Sequence, residues 1–369
     1  MKVSVLTITY NHEKYIGQAI ESVLKQKTNF DYELVIGEDC STDKTREIIR
    51  GYQKNHPDKI RLLLNEKNIG MIRNFVQTYN ACRGQYIALL EGDDFWTTPY
   101  KLQKLVNFLD NHLDFTICFH NMQIIYEDGI KEPHLSNTNQ KDMLTIEDLI
   151  NSFPIHTVSC CLLRNKLFNE FPKWYFKLPM YDWPLYILNA EYGKIMYFNE
   201  VMGVYRVHSG GVWSGKAIFS NESKCPTYIA EIEFFKIIDR HFKYKYRYNI
   251  RSSMIPRYIS LIKELISEDN QKKAMFYLSQ IKILDKYLKY KYRHTIRESL
   301  IPRYVSLINE LISEGNREKA RFYIFQLLKL GFWRYVSNRH LLIFLIWLVS
   351  PSIYQALKRF KWILKSSSI

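Results

Sequence analysis

Four short apolar runs, rich in β-branched residues, punctuate the first 90 positions: 3–9 (VSVLTIT), 32–37 (YELVIG), 60–64 (IRLLL) and 86–90 (YIALL). Segments near 13–26, 43–55, 71–82 and 99–111 follow them with apolar positions at helical spacing. Strand and helix alternating in this way predict βαβ units and a largely parallel sheet, in which ligands collect at the carboxyl ends of the strands. Those ends are where the polar residues gather. The first run closes in Thr9, Tyr10 and Asn11, the second in EDCSTD, the third in NEKNIGMIRN and the fourth in EGDDFW. Singly, each cluster has a structural explanation, such as Ser41 or Asp43 capping a helix and Asn68 with Gly70 making a turn. Four at equivalent topological positions point to a nucleotide site.

EGDDFW places Glu91, Asp93 and Asp94 within four positions. Like charges this close oppose one another's ionisation unless a cation sits among them. An all-oxygen set suits Mg²⁺ or Mn²⁺ rather than zinc or copper. The alternative is a solvated acidic turn in which Asp94 or Thr97 caps the helix that follows. Further along, VYRVHSGG alternates as a strand, which puts Arg206 and His208 on one face as a pair able to clamp phosphate oxygens, with His208 a further metal ligand.

The chain has 369 residues, 47% of them hydrophobic, enough for two domains with ordinary cores. The N-terminus reads as a strand rather than a secretion signal, and the expected location is cytoplasmic. Six cysteines without metal-ligand spacing are expected to be free thiols. Charge divides the chain more sharply than composition does: residues 1–225 hold 25 Lys and Arg against 26 Asp and Glu, and residues 226–369 hold 27 against 11. The expected domains are therefore 1–225 and a basic helical region, 226–369. Within the second, residues 243–284 recur as 289–330 with 27 of 42 positions identical, each copy reading as a helical hairpin that starts after a proline. Residues 331–369 carry the nine-residue apolar run 341–349 and basic flanks with Trp347 and Trp362. The run is too short to span a bilayer, and the segment suits a helix lying on an anionic membrane surface or a capping helix for the repeats.

TYNHEKYIGQAIESVL, EDCSTDKT, NIGMIRN, GQYIALLEGDDFWTTPYKLQ, YDWPLYILNAEYGKI and VMGVYRVHSGGVWS, in that order, resemble the successive landmarks of family 2 glycosyltransferases. The resemblance covers about the first 215 residues. It implies a GT-A fold, Rossmann-like with a mostly parallel sheet, and transfer from a nucleotide sugar, most commonly a UDP-sugar, with Mn²⁺ or Mg²⁺. EGDDFW then occupies the family's DxD position, with Asp93 and Asp94 toward metal and ribose-diphosphate and Glu91 replacing the usual leading Asp. Asp39 would bind the nucleobase edge, Thr9, Tyr10 and Asn11 would line the same pocket, and Arg73 would lie near the diphosphate. Asp182, where inverting members place a general base, would deprotonate the acceptor; here Tyr181 precedes it instead of the frequent second acid. Asp182 can equally cap the helix after it. The resemblance and the basic tail together lead us to expect a glycan or lipid-linked acceptor, surface-polysaccharide synthesis, and a peripheral position on the inner face of the cytoplasmic membrane.

Two other readings compete. Nucleic-acid binding through the basic repeats, with KYKYR tyrosines stacking on bases, leaves the motifs of the first 215 residues unexplained. A sugar nucleotidyltransferase would need a Gly-rich basic loop after the first strand, and TYNHEKYIG is not one.

Overall fold

The computed structural model describes residues 1–211 apart from 128 and 130, residues 223–292 apart from 269 and 290, and scattered positions between 295 and 324. The chain divides into two compact units, Met1–Glu222 and Ser223–Ile369.

The first unit is a mixed α/β domain. It runs β1 (Val3–Thr9), α1 (Ile16–Leu24), β2 (Tyr32–Glu38), α2 (Thr45–Asn55), β3 (Ile60–Leu64), α3 (Met71–Ala81), β4 (Tyr86–Leu89), β5 (Phe95–Trp96) and α4 (Lys101–Asn111). Then come β6 (Phe115–Tyr126), β7 (His134–Leu135), β8 (Met143–Leu144), α5 (Ile146–Asn151), β9 (Cys161–Arg164), α6 (Asp182–Ala190) and β10 (Lys194–Val207). The sheet order is β3-β2-β1-β4-β9-β6-β10-β5. β1 to β4 are parallel where they pair, and β6 runs parallel to β10. β9 lies antiparallel to both of its neighbours, β4 and β6. The result is the mostly parallel α/β sheet that the sequence predicts.

Burial explains why the early strands read as continuous apolar runs: every residue of β1 and β2 is buried, so both faces are covered. Val3, Val5, Leu34 and Ile36 share one cluster with Ile16 and Ile20 of α1, Ile49 of α2 and Leu102 and Leu105 of α4. The next residue, Gly37, faces the opposite way, where a Cβ would stand 2.0 Å from Thr78 Oγ1 of α3. α3 thus covers the second face, and Gly37 is what lets it approach so closely. This three-layer arrangement sets the loops after β1, β2, β3 and β4 along one edge.

The second unit opens with α7 (Cys225–His241), α8 (Arg247–Ser267) and α9 (Gln271–Tyr287). α8 and α9 form a hairpin over the first of the two repeated segments. The expected helix start at the proline is displaced: α8 begins at Arg247 and Pro256 lies inside it. Pro256 has no N–H for the preceding turn, and one turn carbonyl there, that of Ser253, takes a 2.8 Å hydrogen bond from Arg257 Nη1. Most of the second copy, and all of residues 331–369, lie outside the described residues. Among the described residues no helix is long and apolar enough to cross a membrane. All six cysteines are free thiols, as expected.

Candidate functional site

The loops after β1 and β2 are stitched together. Asn11, in the left-handed backbone region at φ 57°, accepts the Thr42 N–H on its side-chain oxygen at 2.8 Å. The Asn11, His12 and Glu13 amides donate in turn to Ser41 Oγ, Thr45 Oγ1 and Asp43 Oδ2. Asp43 Oδ1 also accepts the Thr45 amide at 2.9 Å, but the cap position of α2 is Lys44, without a side-chain bond, so neither Ser41 nor Asp43 is its N-cap. Tyr10 between them is exposed, and Thr9 is buried.

Asp39 is buried at the end of β2, and its carboxylate organises the next loop. Oδ1 accepts from Ile69 N–H at 2.8 Å and from Asn65 Nδ2 at 3.1 Å, while Oδ2 accepts Gly70 N–H at 2.9 Å. Beside this loop an open cleft of about 600 Å³ is lined by Leu64, Asn65, Glu66, Lys67, Ile69 and Gln77. Arg73 sits exposed on the first turn of α3.

The acidic turn after β4 resolves its own repulsion. Asp93 points its Oδ2 at His208 Nε2, 3.0 Å away, with His12 Nε2 at 3.8 Å. Burial would raise the Asp93 carboxyl, but His12 and His208 hold it below the ordinary range. Asp94 has the opposite surroundings. It is buried, its Oδ2 accepts from Ser159 Oγ at 2.5 Å, and its Oδ1 accepts the Arg206 N–H at 3.0 Å. Burial, then Asp93, push its carboxyl well above the usual value, and burial with Asp93, Asp94 and Asp182 do the same to Glu91. The turn separates its acids by orientation, with Asp93 facing two imidazoles and Asp94 turned to a hydroxyl and an amide. Neither Asp94 nor Thr97 caps α4: the cap position is Tyr100, without a side-chain bond.

Arg206 and His208 reach the same turn, as their shared strand face predicts. Arg206 Nε donates to the Asp93 carbonyl at 3.0 Å and Nη2 to Gln18 Oε1 at 2.7 Å, with Glu127 3.7 Å from Nη1. The guanidinium also lies over the Tyr15 and Phe95 rings. Its partners make it a brace between β10, α1 and the acidic turn. Asp182 is the first residue of α6, and its Oδ1 accepts the Trp183 N–H at 2.8 Å. Burial lifts its carboxyl to about 6. Trp96 and Trp183 are core residues, and Trp213 lies outside the described residues.

Asp93 and His208 converge on one point, and Asp94 is turned away from it. Among the described residues no three His, Cys, Asp or Glu side chains gather as a metal cage. Two ligands nevertheless fit Mg²⁺ or Mn²⁺ at a phosphate site, because such ions complete their shell with substrate oxygens and water.

Three participants went unmarked in the sequence. His12 presses on the turn: a Cβ on Gly92 would stand 2.6 Å from its Nδ1 and 2.9 Å from Thr9 Oγ1, both buried atoms without hydrogen-bond partners. Ser159 arrives from the short 3-10 turn Val158–Cys160 before β9. Lys101, fully buried, donates to the Ser159 carbonyl at 2.6 Å. The signals that could have found them are the place of His12 directly after Thr9–Asn11 and that of Lys101 on the stripe of Leu105 and Leu109; nothing local marks Ser159.

Residues 4–171 match the model of "Glycosyl transferase family 2". An uncharacterized protein of Mycobacterium tuberculosis is 38% identical over 211 residues, covering 57% of this chain and 60% of that protein. The match therefore spans three-fifths of that relative's length. An uncharacterized glycosyltransferase of Nostoc sp. is 32% identical over 237 residues, covering 61% of this chain and 70% of that protein. Among solved structures, S. aureus TarS 1–349 overlays with a TM-score of 0.47 at 17% identity, covering 93% of this chain and 90% of that one. With the family model running from β1 to beyond β9, and 70% of the Nostoc glycosyltransferase matched, the chain belongs to glycosyl transferase family 2.

Proposed function

We propose that the protein transfers a sugar from a nucleoside diphosphate donor, a UDP-sugar by family habit, to a glycan or lipid-linked acceptor with inversion at the anomeric carbon. The observation that carries this reading is the division of labour among acids on one sheet edge. Asp93 Oδ2 faces His208 Nε2 at 3.0 Å, and Asp182, lifted by burial to about 6, lies within electrostatic reach of Glu91.

Asp93 and His208 would hold Mn²⁺ or Mg²⁺, which when bound supplies Lewis-acid stabilisation of the departing diphosphate. The other steps belong to the chain. The Thr9–Asn11 segment and Asp39, tied to each other by the Asp39 N–H to Thr9 carbonyl bond of 3.1 Å, form the floor for the nucleoside. Arg73, exposed at the start of α3, is free to approach the diphosphate, while Arg206 keeps the acidic turn in register from behind. Asp182 accepts the proton of the acceptor hydroxyl as it attacks. Because an Asp with a carboxyl near 6 is mostly ionised at neutral pH yet more basic than an ordinary aspartate, it suits that role.

The basic second unit, together with the amphipathic 331–369 segment, is the part we assign to an anionic membrane surface, as a peripheral enzyme of surface-polysaccharide synthesis on the cytoplasmic face. The +15 net charge supports this reading.

The test is donor turnover. Purified protein with Mn²⁺ is offered UDP-, GDP- and dTDP-sugars, and release of nucleotide diphosphate is followed for wild type and Asp182→Asn. Release from one donor class by wild type, and its loss in Asp182→Asn with nucleotide binding retained, is the expected result. Equal turnover in Asp182→Asn would remove Asp182 as base, and no release from any donor would count against the transferase reading.

A further inference from the structure

We propose that Lys101 is a positioning residue for the acidic turn: its buried ammonium fixes Ser159, and Ser159 fixes the turn that presents Asp93. The inference rests on the donor reading above and extends it to a residue remote from any substrate contact.

Lys101 opens α4 on the same stripe as Leu105 and Leu109, an apolar face on which a lysine is out of place. Its side chain runs inward and is 0% exposed. Nζ donates to the Ser159 carbonyl at 2.6 Å and stands 3.8 Å from the centre of the Trp96 indole. Trp96 Nε1 donates to the same carbonyl at 2.9 Å. The hydrogen-bond acceptor is therefore a neutral oxygen, not a carboxylate, and burial pulls the ammonium down to about 7. A buried cation held this way is costly, and an apolar side chain of similar volume would be tolerated at least as well on stability grounds alone.

What the cation secures is Ser159. The Ser159 hydroxyl accepts the Glu91 N–H at 3.0 Å and donates to Asp94 Oδ2 at 2.5 Å. Glu91 and Asp94 are the two ends of the turn, which is closed by Asp94 N–H on the Glu91 carbonyl at 3.3 Å. One hydroxyl thus pins both ends, and Asp93, near the apex, is left facing His208 and His12. With Ser159 loose, the turn is held only by its closing bond and by Arg206 and His208, and a divalent site loses part of its preorganisation.

The experiment uses the full chain with Lys101→Met, Lys101→Arg, Ser159→Ala and the Lys101→Met/Ser159→Ala double variant. Melting without ligand and calorimetric titration with UDP and with GDP, each with and without Mn²⁺, are measured for all of them. Lys101→Met is expected to melt at or above wild type while its Mn²⁺-dependent nucleotide binding weakens roughly 10- to 100-fold. Ser159→Ala should weaken binding by a similar factor, the double variant by no more than the larger single effect, and Lys101→Arg should recover part of it. Wild-type affinity in both single variants, or a loss of affinity that only follows a fall in melting temperature, would overturn the inference and leave the donor reading standing. Failure of wild type to bind either nucleotide would overturn both.

Discussion

His208 Nε2 and Asp93 Oδ2 lie 3.0 Å apart although 115 positions separate them in the chain. That contact joins the end of β10 to the turn after β4, and it brings together the two residues we propose as ligands for a divalent cation. Removing either partner should abolish the cation's contribution to nucleotide binding without unfolding the domain. A ligand at 100 times its dissociation constant stabilises by about 2.7 kcal/mol. In thermal melts with UDP or GDP, the added shift produced by Mn²⁺ is expected in wild type and expected to vanish in Asp93→Ala and in His208→Ala. Asp94→Asn, whose side chain faces Ser159 and Arg206, should lower the melting temperature as well. A full Mn²⁺-dependent shift in Asp93→Ala would show that the cation sits elsewhere.

Asp182 gives opposite signs for activity and stability. The base works ionised, so turnover should fall about tenfold per pH unit below about 6. Folding instead favours the protonated group, because its folded value lies above its ordinary 3.8. Its stabilising contribution is complete below that ordinary value and is lost as pH rises through about 6. Asp182→Asn, which keeps the oxygen that accepts the Trp183 N–H, should therefore melt higher than wild type near pH 8 and equally near pH 4. Identical melting at both pH values would mean that the carboxyl is not raised.

Gly92 is the residue where packing and chemistry collide most directly. An added methyl meets His12 Nδ1 and Thr9 Oγ1 inside 3 Å, so Gly92→Ala should cost about 1–3 kcal/mol. The relief of that clash must move His12 or the acidic turn, so Mn²⁺-dependent nucleotide binding should fall with it. Chemical denaturation alongside nucleotide titration measures both. A variant as stable as wild type would show that the turn has slack.

Asp39 holds the loop after β3 through two backbone amides. In Asp39→Ala the Ile69 N–H loses its acceptor while the Gly70 N–H keeps Asn68 Oδ1 at 3.0 Å, so hydrogen exchange should accelerate by at least tenfold at Ile69, corresponding to about 1.4 kcal/mol of local opening, and by less at Gly70. Asp39→Asn should lie between the two, since one oxygen remains. Unchanged protection at Ile69 and Gly70 would show that the loop is held by other contacts.

The four strand–helix pairs were legible in the sequence because each strand writes a short apolar run, whether buried on both faces like β1 or only partly buried like β3, and observed β1 and β3 coincide with the runs that mark them. The placement of Asp93, His208 and Asp39 at strand ends was legible because each stands among polar neighbours just past an apolar run. Lys101 was not, because a lysine at a helix start is ordinarily solvated, and although it shares the stripe of Leu105 and Leu109 its acceptor, the Ser159 carbonyl, is 58 positions away. Nor could the sequence separate Asp93 from Asp94: adjacent carboxylates look alike until one meets two imidazoles and the other a hydroxyl and an amide. Pro256 misled for a related reason. A proline usually marks a helix start, but the packing of α8 carries the helix through it.

The antiparallel insertion of β9 has a consequence for how the protein is born. Among the described residues, β4 and β6 each pair with β9 and are linked to one another only through it. On the ribosome, β4 therefore emerges with an unpaired apolar edge and waits until residues 161–164 are made, roughly 75 residues later. At 5–20 residues per second that is about 4–15 s during which the nascent sheet stays open at its centre. The acidic turn, which depends on Ser159 just ahead of β9, is shaped only when that gap closes. Through this interval the growing chain is exposed to edge-to-edge association, and it is then that a chaperone has the most to protect.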